Sequence, residues 1–217
     1  MPQARRGMKK CDAACRVFRR NAVLGRRAAA PHSMSGDDTM WNKGYVQLYT
    51  GNGKGKTTAA LGLALRAAGA GLQTFIIQFM KGQHYSELES VKKLGGFITI
   101  EQYGSERFCA PDPASLKEIE EHFRLAREGL ARARNVLTDG KYAIVVLDEI
   151  VTARLFKLLT LEEIMELIRI KPERTELILT GRGAPKALIE RCDLVTEMKE
   201  IKHYYESGIT ARKGIEF

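Results

Sequence analysis

The sequence predicts a three-layer α/β domain with a mostly parallel central sheet over residues 42–217. Three observations carry this expectation. Short apolar runs alternate with longer helical patterns, which is the order of successive βαβ units. One of those runs, YAIVVLDE at Tyr142–Glu149, is apolar without alternation, as a parallel strand covered on both faces has to be. A chain of 217 residues with 44% apolar composition suffices for one sizeable core and is short for two.

Taken in order, YVQLYT (Tyr45–Thr50) reads as the first strand, followed by a Gly-rich loop and then by KTTAALGLALRAAGAG, an Ala- and Gly-dense helix able to lie close against a sheet. QTFIIQFM (Gln73–Met80) and FITIEQYG (Phe97–Gly104) read as the second and third strands, with a short helix inside KGQHYSELESVKKLGG between them. Asp112 and Pro113 form an N-cap and first-turn pair for a long amphipathic helix over Ala114–Leu137, its apolar face made of Ile119, Phe123, Ala126, Leu130, Ala133 and Leu137. After the Tyr142–Glu149 strand, Thr160 with Glu163 makes a capping box that opens a helix to Ile170. TELILTG (Thr175–Gly181), a helix over Pro185–Arg191 and the run LVTEMKEIK complete the alternation.

Charge separates the chain into two parts. Residues 1–36 carry nine Lys or Arg against the single acid Asp12, so nearly all of the net +9 lies there and the remainder is close to neutral. That balance argues against a polyanion-binding body, hence against nucleic acid as a partner. Residues 1–41 read as a basic, disordered extension or as sequence upstream of a start at Met34 or Met40, with a functional basic arm and a transit peptide as the remaining readings. No run approaches the ~18 apolar residues of a membrane span. Cys11, Cys15, Cys109 and Cys192 form no C-x-x-C pair, which points to a reduced, cytoplasmic protein without structural zinc.

Three constellations carry chemistry. The stretch TGNGKGKTT, Thr50–Thr58, matches the phosphate-loop pattern G-x-x-x-x-G-K-[ST] at Gly55, Lys56 and Thr57 but has Thr50 in place of the first glycine. It follows a strand and opens a helix, where successive backbone N–H groups form an anion nest at a positive helix end. Lys56 supplies a charge for the phosphates and the Thr57 hydroxyl a ligand for Mg²⁺. Asp148 and Glu149, at the C-terminal end of a buried strand, are the acids such a metal needs. In LTGRG, Arg182 ends another strand on the same sheet edge, where a guanidinium can hold phosphate oxygens. These residues name a Mg-nucleotide as ligand, with the P-loop NTPase-like layout, and leave the reaction open.

Several segments in order resemble the ATP:corrinoid adenosyltransferases of the CobA/CobO/BtuR type: YTGNGKGKTTAALGLALRAAG (Tyr49–Gly69), IIQFMKG (Ile76–Gly82), VVLDE (Val145–Glu149), LTGRGAPKALIERCDLVTEM (Leu179–Met198), IKH (Ile201–His203) and GITARKGIEF (Gly208–Phe217). The resemblance covers residues 42–217 and implies a RecA-like fold. It implies transfer of the 5′-deoxyadenosyl group of ATP to Co(I) of a reduced corrinoid (cobyrinic acid a,c-diamide, cobinamide or cobalamin) with release of triphosphate. It also implies Mg²⁺, with Mn²⁺ as an alternative, a flavoprotein reductase as partner, and a homodimer. Carried over by position, it gives the triphosphate to Gly51, Asn52, Gly53, Lys54, Gly55, Lys56, Thr57, Thr58 and Arg182, and the metal to Thr57, Glu149 and Asp148. Catalysis falls to Lys56, Thr57 and Glu149. Some members carry Gly-Phe-Thr-Trp after the third strand, aromatics that act on the lower cobalt ligand. Here Gly104–Phe108 stand there and the only tryptophan is Trp41, so Tyr103 and Phe108 are the corrinoid-facing candidates. The competing readings are a P-loop ATP hydrolase in which Glu149 activates water, a small nucleoside kinase, and a nucleotide-dependent binding module.

Overall fold

The computed structural model describes residues 41–105 and 116–217. The expectations placed on the basic extension, Cys11, Cys15, Cys109, Phe108 and the Asp112–Pro113 helix start lie outside the described residues.

Six strands form one sheet: β1 (Val46–Thr50), β2 (Thr74–Phe79), β3 (Ile98–Tyr103), β4 (Ile144–Asp148), β5 (Glu176–Thr180) and β6 (Leu194–Glu197). Every pairing is parallel and the spatial order is β3-β2-β4-β5-β1-β6. β2 and β4 are buried along their whole length, as their unbroken apolar runs require. Helices α1 (Lys56–Gly69) and α2 (Ser86–Lys92) lie over one face and α3 (Leu116–Asp139), α4 (Ile150–Leu155) and α5 (Leu161–Ile170) over the other. The short α6 (Lys186–Arg191) leads into the edge strand β6. This is the expected three-layer P-loop NTPase-like fold.

Ala60, Ala64 and Ala67, at helical spacing, form the buried stripe of α1 against Ile76, Ile144, Val146 and Ile178. Methyl-sized side chains let the helix axis approach the sheet, which fixes the helix N-terminus at the C-terminal end of β1. The opposite core joins Leu48, Phe75, Ile77, Val145, Leu147, Leu177 and Leu179 to Leu130, Leu137, Ile164 and Leu167. The capping box of α5 is formed, with the Glu163 N–H donating to Thr160 Oγ1 at 3.2 Å and the Thr160 N–H to Glu163 Oε2 at 2.8 Å.

One expectation is corrected. The apolar face of α3 is buried at Ala126, Leu130, Ala133 and Leu137, but Ile119 and Phe123 are exposed. A helix of 24 residues runs about 36 Å, whereas a six-residue strand spans only about 20 Å, so the N-terminal half of α3 overhangs the sheet. The segment after Glu149, to which the sequence pattern assigns no element, turns at once into α4, whose Ile150, Val151, Thr152 and Ala153 are buried.

Candidate functional site

The strand order decides where the site lies. β5 stands between β1, which carries the phosphate loop, and β4, which carries the acids. The loop and the carboxylates therefore meet across the end of β5, in the crevice beyond the C-terminal ends of the strands where parallel α/β folds bind ligands.

The loop, Gly51–Gly55, opens α1 with Gly55 as N-cap at φ 120°, a value that favours glycine, and no side chain caps the helix. Its first backbone N–H groups and the positive end of the helix dipole are left to face an anion. Gly51 and Gly53 have a second reason to be glycine. A Cβ on Gly51 would lie 2.4 Å from the Met198 carbonyl oxygen, and one on Gly53 would lie 2.8 Å from it. The loop leans on the chain that leaves β6, and the Gly53 N–H donates to Met198 O at 2.7 Å. Thr50, in place of a glycine, ends β1 with its carbonyl accepting from the Met198 N–H at 2.8 Å.

Lys56 is buried, and its amine donates to Gly51 O and Gly53 O, each at 2.8 Å. Burial pulls its pKa below the ordinary lysine value, Glu149 and Asp148 oppose this, and Arg182 adds to it. These four side chains thus share one electrostatic environment. Lys54 goes elsewhere: its amine contacts Glu216 Oε1 at 2.6 Å, Tyr204 OH at 3.1 Å and Ile215 O at 3.1 Å. Hydrogen bonds from Lys54 and Tyr204 hold the Glu216 carboxyl well below the usual range. Arg212 stacks on the Tyr204 ring at 4.8 Å, and Phe217 O accepts from Ser86 Oγ at 2.9 Å. The C-terminal tail is thereby tied from the phosphate loop to the start of α2. Asn52 and Thr58 are exposed on the loop and the first turn of α1.

Asp148, 1% exposed, is the centre of the site. Its Oδ1 accepts from Thr180 Oγ1 at 2.7 Å and from Thr57 Oγ1 at 2.9 Å. Its Oδ2 accepts from Lys81 Nζ at 2.8 Å and from Gln78 Nε2 at 3.3 Å. Lys81 also reaches Thr57 Oγ1 at 3.2 Å. Burial lowers the pKa of Lys81, but the Asp148 carboxylate outweighs it and holds the amine above the ordinary value. Glu149 adopts φ 60° at the N-cap of α4, its N–H donates to Thr180 Oγ1 at 2.8 Å, and its Oε2 accepts from Thr152 Oγ1. Thr152 Oγ1 accepts in turn from the Arg182 N–H at 2.9 Å, so Glu149 and the Arg182 backbone are braced by one hydroxyl. The Arg182 side chain is exposed at this edge.

Among the described residues no group of three or more His, Cys, Asp or Glu is placed to hold a metal. Thr57 and Asp148 nevertheless suit Mg²⁺, which keeps several waters and takes one or two protein oxygens plus substrate phosphates. That these two oxygens already share one cation, the Lys81 ammonium, shows that the place accepts positive charge.

Tyr103 lies at the end of β3 with its ring against Gly129 of α3 and its hydroxyl donating to Glu101 Oε2 at 2.8 Å. Burial, then Glu101, push its pKa up to about 12. His203 caps the 3-10 turn Tyr204–Ser207, its Nδ1 accepting from the Tyr205 N–H at 3.1 Å. The sequence reading gave no role to Lys81, Gln78 or Thr152. The resemblance segment IIQFMKG contains Gln78 and Lys81, yet no spacing rule ties them to Asp148.

No described helix is long and apolar enough to cross a membrane. The family described as ATP:corrinoid adenosyltransferase BtuR/CobO/CobP matches residues 42–217. A corrinoid adenosyltransferase of Escherichia coli K12 is 31% identical over 179 residues, 81% of this chain and 86% of that protein. One from Pseudomonas aeruginosa is 31% identical over 212 residues, 93% and 94% of the two chains. A third, from Sinorhizobium, is 34% identical over 177 residues, 81% of each. The crystal structure of the RadB recombinase superimposes with a TM-score of 0.43 at 16% identity, over 75% of this chain and 77% of that one. With a family match that runs from residue 42 to the last residue, and relatives of 31–34% identity over most of both chains, this chain belongs to the ATP:corrinoid adenosyltransferases.

Proposed function

We propose that the chain uses this site to hold MgATP by its three phosphates while Co(I) of a reduced corrinoid attacks the ribose C5′. The cobalt electron pair forms the Co–C5′ bond and the bond from C5′ to the α-phosphate oxygen breaks. Its electron pair leaves with inorganic triphosphate. Because the nucleophile belongs to the substrate, the protein needs no activated serine or cysteine, and its task is to orient and to stabilise charge on the leaving group.

The parts follow from their positions. The Gly51–Gly55 backbone and the first turn of α1, with Asn52 and Thr58, cradle phosphate oxygens, and Lys56 turns its amine from its own loop carbonyls to the triphosphate. Arg182, within electrostatic reach of Lys56, supplies further positive charge. Lys54, tied to Glu216, anchors the loop to the C-terminal tail and reaches phosphate only if that tie opens. Thr57 and Asp148 would hold Mg²⁺, with Glu149 beside them, and the ion would neutralise charge growing on the departing triphosphate. Thr180 and Gln78 keep the Asp148 carboxylate aimed. The observation that carries the reading is the Thr57–Asp148 pair, 2.9 Å apart at the open N-terminus of α1, in a chain of this family.

Cobyrinic acid a,c-diamide, cobinamide or cobalamin serves as acceptor, with Tyr103 and Phe108 as the aromatic candidates beside it. The same reading implies a flavoprotein reductase that delivers Co(I), a homodimer, Mn²⁺ as a substitute metal and a cytoplasmic setting. Incubation with ATP, Mg²⁺ and chemically reduced cobalamin or cobinamide tests it. The expected product has a visible spectrum with a Co–C bond that light destroys. ADP accumulation without that spectrum would identify a hydrolase instead.

A further inference from the structure

Lys81 is built into the site more firmly than a solvated lysine would need. Its amine and the Asp148 carboxylate pair at 2.8 Å with side-chain exposures of 14% and 1%, and the Tyr85 ring covers the amine at 5.2 Å. The turn that carries it is equally constrained. Met80, directly before it, sits at φ 59°, a conformation uncommon outside glycine, asparagine and aspartate. The Met80 N–H donates to Tyr103 O at 3.0 Å. A Cβ on Gly82 would lie 2.1 Å from Gly104 O, and one on Gly104 would lie 2.3 Å from Lys81 N. Two glycines thus close the ends of β2 and β3 on each other and aim Lys81 at β4. A strained backbone kept in place around a functional carboxylate is the pattern expected of a positioning device.

The amine rests on Thr57 Oγ1 and Asp148 Oδ2, the two side chains that a phosphate-bound metal needs. One carboxylate oxygen and one hydroxyl cannot serve both cations at full strength, because like charges at contact distance in a dry site repel far more strongly than in water. A triphosphate changes this balance. It brings several negative charges to the loop, and a four-carbon side chain can move its amine to a phosphate oxygen by rotation alone.

We propose that Lys81 is a resident counter-cation that makes metal entry conditional on nucleotide. Without triphosphate it holds Thr57 and Asp148 together and keeps divalent ions out. With triphosphate bound it transfers to a phosphate oxygen, frees both protein oxygens for the metal, and joins Lys56 and Arg182 on the leaving group. The inference rests on the reading of Thr57 and Asp148 as the metal's side chains.

The test is metal binding, read apart from turnover. Mn²⁺ is titrated into the full-length protein without nucleotide and the free ion is followed by its electron paramagnetic resonance signal. The variants are Lys81→Met, Lys81→Gln in case the first misfolds, Asp148→Asn alone, and Lys81→Met with Asp148→Asn. The expected result is Mn²⁺ affinity without nucleotide that rises by about tenfold or more in the single variants, an effect of removing one competing unit charge, and falls back in the double variant. Loss of packing alone cannot tighten metal binding. Unchanged Mn²⁺ affinity in both single variants, while ATP still brings Mn²⁺ to the wild type but not to Asp148→Asn, overturns the role of Lys81 and leaves the metal reading standing. Mn²⁺ binding with ATP that is indifferent to Asp148→Asn overturns both.

Discussion

Thr180→Val isolates the hydroxyl on which the acid strand depends. Thr180 is fully buried, its Oγ1 donates to Asp148 Oδ1 at 2.7 Å and accepts from the Glu149 N–H at 2.8 Å. Valine has nearly the same shape, so no cavity confounds the result. Losing a hydrogen bond to a charged group costs about 1.5–3 kcal/mol, and leaving the Glu149 N–H without an acceptor costs about 1–3 kcal/mol. Some relaxation toward solvent brings the sum to roughly 3 kcal/mol. For a folded body of this size that lowers Tm by roughly 6–12 °C, at about 2–4 °C per kcal/mol. Urea unfolding followed by circular dichroism measures it, with an unchanged slope as the sign that the two end states are otherwise alike. Thr180→Ser, which keeps the hydroxyl, is expected to recover most of the loss. A change below about 0.5 kcal/mol, within the range of an ordinary surface substitution, would refute the claim that Thr180 holds the acid strand to the site.

Gly51→Ala places a methyl 2.4 Å from Met198 O on a residue at φ 95°. Overpacking and the left-handed backbone together are expected to cost about 2–5 kcal/mol, read by the same unfolding assay, and Gly55→Ala, whose nearest contact is the Met198 sulfur at 3.3 Å, less. Lys56→Ala is expected to lower kcat/KM for ATP by about 10²-fold or more with near-UV circular dichroism unchanged; a loss below about threefold would remove Lys56 from the leaving-group site. Burial, then Asp193, push the Cys192 thiol up to about 11, with Arg191 opposing. At pH 8, alkylation of Cys192 resolved by mass spectrometry is therefore expected to be about two orders of magnitude slower in the native protein than in urea.

How much of this was legible in the sequence depends on how local each signal is. The runs YVQLYT and YAIVVLDE, and the capping box of Thr160 and Glu163, carry their own periodicity and caps, so the corresponding elements lie where they were read. The phosphate loop was legible because its backbone role is set by residues adjacent in the chain. What escaped depends on spatial order. That β5 lies between the loop strand and the acid strand, so that Thr180 bridges them, cannot be read from segments taken singly. Lys81 sits in a turn with no period, 67 residues from its partner Asp148. The tie of Lys54 to Glu216, 162 residues away, is likewise outside any local pattern. The exposure of Ile119 and Phe123 reflects helix length against strand length, a comparison between elements and not a property of α3 alone.

The central claim is that the triphosphate departs whole from the ribose carbon. Its most direct test is to follow ATP radiolabelled at the γ-phosphorus through a single reaction with excess reduced cobalamin, and to identify the labelled product by anion-exchange chromatography. The account predicts tripolyphosphate in one-to-one yield with the adenosylated corrinoid, and none without corrinoid. Label recovered as orthophosphate, with ADP as its companion and cobalt left unalkylated, would contradict it.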